Sequence, residues 1–212
     1  MKARYVVVLF AAVLSVGALA RGETLVNTFG TGDSFDHSLA WGIWGPSVSG
    51  GPFWQAFLTR TLLDPVTIAS ADVAVVNYSG SKRIDVQIMT DAGSERGPGS
   101  PVAGGTSFVD ADSTAGVKRA EFSGGVYLQK ETFYWLVLSC GGDGDNGWCK
   151  NDQAYELDRA YSTDRGSSWT FDADAIAPAM RLNVVPEPST LAGLLSLGAG
   201  ALMLGWLRRR RS

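Results

Sequence analysis

The residues best suited to chemistry in this sequence lie in one short segment enclosed by its two cysteines, Cys140 and Cys149. Two thiols this close favour a disulfide across a loop wherever the chain meets an oxidising compartment. Zinc is the alternative, but two thiols and the distant His37 are too few ligands for a closed tetrahedral shell. The spacing therefore predicts a Cys140–Cys149 disulfide.

The oxygen-bearing residues inside this segment offer a second chemistry. Asp143, Asp145 and Asn146 resemble the opening of a calcium-binding loop, but the late bidentate glutamate of an EF-hand is missing. Asp-Gly and Asn-Gly pairs are also turn formers. We therefore favour a turn, keep calcium as the alternative, and predict no other metal and no cofactor.

Trp148 is the candidate ligand-binding residue, because it sits in the same Gly/Asp-rich segment and aromatic faces stack on sugar rings. Binding of an exopolysaccharide is therefore one hypothesis. The alternative is that the tryptophans of residues 21–185 fill a hydrophobic core. There are six of them: Trp41, Trp44, Trp54, Trp135, Trp148 and Trp169.

Residues 162–169 resemble an Asp-box, the S-x-D-x-G-x-[ST]-W hairpin of sialidases and other β-proteins. Turn chemistry accounts for each part: Asp164 can bond nearby backbone amides, Gly166 can adopt a positive φ, and Trp169 can pack under the turn. A sialidase needs several such hairpins and an arginine triad, whereas one hairpin is present here. We therefore interpret this segment as a folding element.

Catalytic machinery is not indicated by the sequence. It has one histidine, His37, and neither a G-x-S-x-G elbow, an H-E-x-x-H motif nor a phosphate loop. Glycoside hydrolysis needs only two carboxylates, and no pair stands out among the acidic residues. We predict that the protein is not an enzyme and has no catalytic residues.

The charge of residues 21–185 argues against nucleic acid as a partner. Six of the 18 basic residues and one of the 21 acidic residues lie outside this range. The remaining 12 basic and 20 acidic groups give a net charge of −8. Such a surface repels phosphate backbones and suits solubility outside a cell.

Residues 1–20 have the organisation of a secretory signal peptide. Two basic residues precede an apolar run of 14 residues, 6–19, which is short for a bilayer span. Ala18 and Ala20 supply the small side chains that a signal peptidase requires. We predict a signal helix that is cleaved before Arg21.

A second set of sorting features follows residue 185. Pro186, Glu187 and Pro188 form a box that stays extended, because each proline fixes φ. Residues 190–207 are an uncharged stretch of 18 residues, about 27 Å long as a helix and so close to the thickness of the hydrocarbon core. Four arginines follow and favour the cytoplasmic face: Arg208, Arg209, Arg210 and Arg211.

This box, apolar helix and arginine cluster, in that order over residues 185–212, closely resemble the PEP-CTERM sorting signal. The resemblance implies recognition by an exosortase, a membrane transpeptidase-like cysteine enzyme of Gram-negative bacteria that make exopolysaccharide. The tail would hold the protein in the inner membrane transiently and would be cleaved near the box. The processed protein would reach the cell surface or extracellular matrix.

The segment between the two signals is predicted to be all-β. Short alternating apolar runs recur between clusters of Gly, Pro, Asp and Ser, and the clearest is Arg83–Asp91. Residues 71–78 form another run, and residues 133–138 read as a central strand buried on both faces. Weaker candidates are residues 25–29, 53–58, 120–122, 154–158, 169–171 and 179–184. Eight or nine strands predict one β-sandwich with jelly-roll-like connections.

Several local motifs of this segment also resemble the exported β-domains called choice-of-anchor R. They are residues 30–36, 42–44, 132–136, 162–169 and 178–182. The resemblance implies an extracellular β-sandwich and assigns no catalytic residues to this sequence.

We thus predict three parts: a signal peptide at 1–20, a β-sandwich at 21–185 and a sorting signal at 186–212. The leading interpretation is a surface or matrix protein, and the alternative is an exopolysaccharide-binding module.

Overall fold

The computed structural model describes residues 24–60, 64–93 and 96–185. All regular structure in these ranges is β, in twelve strands that form two antiparallel sheets. The prediction of an all-β class is therefore confirmed. The described ranges contain no helix long and apolar enough to cross a membrane, and both predicted signal segments lie outside them.

The first sheet has the strand order β1-β12-β4-β9-β2, and β7 pairs with the other edge of β4. The long strand β4 is its centre: one edge pairs first with β12 and then with β9. The six strands are β1 (Thr24–Asn27), β2 (Ala40–Trp44), β4 (Val66–Gly80), β7 (Gly116–Leu128), β9 (Gly144–Cys149) and β12 (Met180–Val184).

The second sheet has the strand order β11-β10-β3-β8-β5-β6. Its centre is β8, which pairs with β3 on one side and β5 on the other. The six strands are β3 (Trp54–Arg60), β5 (Arg83–Asp91), β6 (Pro98–Asp110), β8 (Phe133–Cys140), β10 (Glu156–Ser162) and β11 (Thr170–Ile176).

One hydrophobic core receives side chains from both sheets. Val73 and Val75 of β4 and Leu136 and Leu138 of β8 are fully buried in it. A second cluster covers the other face of β8, where Trp135 packs with side chains of β3, β5 and β10. Strand β8 is thus buried on both faces, as its continuous apolar sequence predicts.

Three strands are absent from the sequence prediction: β2, β6 and β9. Strand β6 contains Pro98 and Pro101 and forms the edge of the second sheet, where a missing backbone donor is tolerated. Strand β9 has the composition of a turn, yet it is paired on both sides by β4 and β2. This error affects the candidate residues described next.

Candidate functional site

Trp148 is a core residue, which corrects the prediction that it contacts a ligand. It lies in β9, its side chain is 0% exposed, and it meets Phe57 edge to face with ring centroids 5.4 Å apart. Its indole N–H donates to the carbonyl of Ala179 at 3.4 Å. A sugar has no access to this ring.

Cys140 and Cys149 are both free thiols, which corrects the predicted disulfide. Cys140 ends β8 opposite Ile84 in the second sheet, whereas Cys149 ends β9 opposite Ala40 in the first sheet. Strand β9 carries Cys149 away from the loop that follows Cys140. Burial raises the pKa of the Cys149 thiol to about 11.

The calcium alternative is also corrected, because Asp145 and Asn146 lie on a strand rather than in a loop. Consecutive strand residues point to opposite faces, so their side-chain oxygens cannot converge on one ion. The Asn146 side chain is buried, and its Oδ1 accepts from Asn77 Nδ2 at 2.9 Å. Asp143 lies before the strand and accepts from the backbone N–H of Ser47 at 3.2 Å.

The Asp-box interpretation is confirmed in the turn between β10 and β11. The carboxylate of Asp164 accepts from the Ser168 backbone N–H at 2.8 Å and from the Ser168 hydroxyl at 2.6 Å. These bonds and one from the Ser162 hydroxyl lower the pKa of Asp164 to about 2. Gly166 has a φ of 80°, and Trp169 packs beside Trp54.

This hairpin also brings Arg165 to a groove that the sequence prediction missed. The groove, about 260 Å³ in volume, is lined by two partly exposed tryptophans, Trp44 and Trp54. We call it the tryptophan groove. Its other lining residues are Pro46, Pro52, Cys140, Gly141, Gly142 and Arg165.

Glycines allow Trp44 to lie close to the backbone at this groove. A Cβ added at Gly42 would lie 2.7 Å from the indole, and one added at Gly51 would lie 3.0 Å from the Trp44 Cβ. On the opposite side, a Cβ at Gly166 would lie 2.8 Å from the Trp54 ring. The sequence signal was present: both tryptophans lie within a few residues of Gly-Pro pairs, which indicate surface turns.

Trp41 and Trp135 are less accessible to a ligand than the two tryptophans of the groove. The Trp41 ring is covered by two cations, with Lys150 Nζ at 3.9 Å and Arg159 Cζ at 4.0 Å from its centroid. Its N–H donates to the Ile176 carbonyl at 2.9 Å. Trp135 is buried on the outer side of β8. Trp44 and Trp54 are therefore better placed to meet a ligand than Trp41, Trp135 or the buried Trp148.

The most elaborate charge cluster lies on the first sheet and is structural. The Asp72 side chain is 2% exposed and accepts from Arg119 Nε at 2.6 Å and Arg181 Nη2 at 2.7 Å. Burial raises the pKa of Asp72, but hydrogen bonds from Arg119, Asn183 and Arg181 outweigh it and hold the pKa below its usual value. The cluster therefore ties β4, β7 and β12 together.

His37 lies outside the tryptophan groove, at the surface. Its ring is 4.2 Å from the Phe35 ring. The neighbouring Asp36 carboxylate accepts from the hydroxyl and backbone N–H of Ser38 within a local turn. The contact that the structure shows for the His37 ring is therefore packing against Phe35.

The residues predicted for sorting lie outside the described ranges. These are the signal-cleavage alanines, the proline box and the terminal cluster: Ala18, Ala20, Pro186, Glu187, Pro188, Arg208, Arg209, Arg210 and Arg211. The structure describes the chain up to Val185, one residue beyond the end of β12.

Comparison with known proteins identifies this carboxyl-terminal segment. No curated protein matches the chain. Residues 184–211 match the family described as the PEP-CTERM protein-sorting motif. The resemblance of the preceding residues to choice-of-anchor R domains stays a prediction. The chain therefore carries a PEP-CTERM protein-sorting motif over residues 184–211, the mark of an exported protein sorted by an exosortase.

Proposed function

We propose that the protein is a structural component of the cell surface or extracellular matrix of a Gram-negative bacterium. The observation that carries the proposal is the sorting motif at residues 184–211, which begins in the last residue of β12. The net charge of −8 over residues 21–185 supports it, because an acidic surface favours solubility outside the cell.

Delivery has two steps in this proposal. A signal peptidase removes residues 1–20, and the apolar stretch 190–207 then holds the chain in the inner membrane with its arginines on the cytoplasmic side. An exosortase next cleaves near the proline box. The order of box, apolar stretch and arginines supports this sequence of events.

Replacing both Pro186 and Pro188 with alanine tests the proposal in cells. The variant is expected to keep its tail and remain in the membrane fraction, because the box is the recognition element. A matched double substitution at the exposed residues Ser113 and Ser123 should be processed normally. Normal processing of the proline variant would contradict the proposal.

We infer that the task of the domain is structural rather than catalytic. Two carboxylates that accept several hydrogen bonds act in folding: Asp72 joins three strands, and Asp164 closes a turn.

We also infer jelly-roll connectivity for eight of the strands. The orders β2-β9-β4-β7 and β3-β8-β5-β6 support it, since they place two interleaved sets of four antiparallel strands face to face.

Carbohydrate binding is a second candidate function, favoured by the tryptophan groove. Trp44 and Trp54 expose indole surface on which the apolar face of a sugar ring can stack, and Arg165 and backbone carbonyls can meet its hydroxyls. Trp44→Ala is expected to weaken retention of the purified protein on exopolysaccharide. Phe108→Ala, an exposed aromatic elsewhere, is the control. Unchanged retention of the Trp44 variant would remove this candidate.

A further inference from the structure

The chain enters and leaves the folded unit at adjacent points. Thr24, the first residue of β1, is paired with Asn183, next to the last residue of β12. Both predicted signals therefore connect to the same end of the two-sheet structure. We call it the terminal end.

Short connections keep the terminal end close to any membrane that the tail enters. Five residues, 185–189, separate β12 from the apolar stretch that begins at Thr190. At about 3.5 Å per residue, this connection reaches about 20 Å at most. A tail that spans the membrane from Thr190 would therefore hold the terminal end near the lipid surface before processing.

An apolar groove opens at this same end, between β1 of the first sheet and β3 and β10 of the second. Its volume is about 310 Å³. Two aromatic residues at its mouth are half exposed, Phe133 at 41% and Tyr155 at 49%. The remaining lining residues are Leu25, Val26, Leu58, Thr59, Leu157 and Asp158. We call it the terminal groove.

We propose that the terminal groove rests on the lipid surface while the tail spans the membrane. The proposal relies on the membrane-spanning tail of the proposed function. Tyrosine favours the membrane–water interface because its ring is apolar and its hydroxyl is polar, and phenylalanine is one of the apolar residues that interfacial segments bury there. Tethering raises the effective concentration of the groove at the surface, so weak contacts suffice.

The charges near the groove favour zwitterionic over anionic lipid. Asp158 lines the groove, and Glu156 precedes it on the same strand. Glu131 and Lys130 lie in the adjacent loop between β7 and β8, and Arg60 ends β3 opposite Phe133. These three acidic and two basic residues leave an excess of one acidic group, which disfavours anionic headgroups and fits zwitterionic lipid better.

Nitroxide quenching on the full chain tests this contact. The chain, carrying Cys140→Ser, is inserted into phosphatidylcholine vesicles that contain a headgroup-nitroxide lipid. A fluorophore is attached at Tyr155→Cys in one sample and at Ser113→Cys, in the loop at the opposite end, in another. Flotation of the vesicles reports tail insertion independently.

The expected result is flotation of both samples with several-fold stronger quenching at position 155 than at 113. Phe133→Ser should reduce the quenching at 155, whereas Phe108→Ser should not. Equal quenching at the two positions in floated vesicles would contradict the contact between the terminal groove and lipid. The membrane-spanning tail would still stand, because the vesicles floated. If the fluorophore at position 155 were shielded from the nitroxide only when the processing enzyme is present, the groove would contact that enzyme and not lipid. Failure to float would refute the spanning tail, and the contact with it.

Discussion

The indole of Trp148 meets the ring of Phe57 edge to face, with centroids 5.4 Å apart, and so joins the two sheets. We expect Trp148→Ala to lower the free energy of unfolding by about 3–5 kcal/mol, because a large cavity opens in a packed core. Urea titration measures the loss. Trp44→Ala, at a partly exposed ring, is the control and should cost less. Equal losses would contradict the structural role of Trp148.

Asp72→Asn should destabilise the protein at neutral pH by about 2 kcal/mol, because it removes charged hydrogen bonds to Arg119 and Arg181. Asp112→Asn, in an exposed ion pair, should change stability little. Chemical denaturation of both variants at several pH values measures the effect.

The Asp72 effect should depend on pH in a defined direction. The pKa of this carboxyl is lowered on folding, so its stabilisation is present above the unfolded value of about 4 and is lost as pH falls through the folded value. The stability difference between the natural protein and Asp72→Asn should therefore narrow below about pH 4. A difference that stays constant down to acidic pH would contradict this.

Asp164→Asn should lower the melting temperature at neutral pH, because the Asp-box turn loses its charged acceptor. The folded pKa of about 2 lies below the usual value of about 4, so this stabilisation is lost as the pH falls from about 4 to about 2. Melting curves at pH 7 and at pH 2 measure the change. Asp174→Asn, on the next strand of the hairpin, is the control. A melting temperature unaffected by Asp164→Asn would contradict the role of the turn.

Both cysteines should react with a thiol reagent in the unreduced, denatured protein, because neither is in a disulfide. In the folded protein at pH 8 only the half-buried Cys140 should react, because Cys149 is buried and its pKa is about 11. A colorimetric assay counts the reactive thiols in the folded and in the denatured protein. The Cys140→Ser variant should have one thiol, which reacts only after unfolding. If no thiol reacted before reduction, the assignment of free thiols would be wrong and a Cys140–Cys149 disulfide would be indicated.

The sequence predicts strands well where apolar and polar residues alternate. Strand β5 has the predicted bounds, Arg83–Asp91, because Ile84, Val86 and Ile88 alternate with polar neighbours and are buried. The all-β class and the Asp-box turn follow from equally local chemistry. These features needed no knowledge of distant contacts.

Strand β9 shows why the candidate site could not be predicted. Its Asp-Asn-Gly composition indicates a turn, but pairing with β4 and β2 overrides that local preference. Gly147 is required there because an added Cβ would lie 2.8 Å from the Ala40 Cβ. Taking this strand for a loop misplaced Trp148, Cys149 and Asn146 together. The tryptophan groove likewise depends on residues far apart in sequence.

The intact mass of the protein recovered from the cell surface tests export and sorting most directly. The account predicts a chain that begins at Arg21 and ends within or near the Pro186–Pro188 box, with any added mass at that end identifying an attached group. A chain that still carries residues 190–212 would contradict exosortase processing and indicate a permanent membrane anchor.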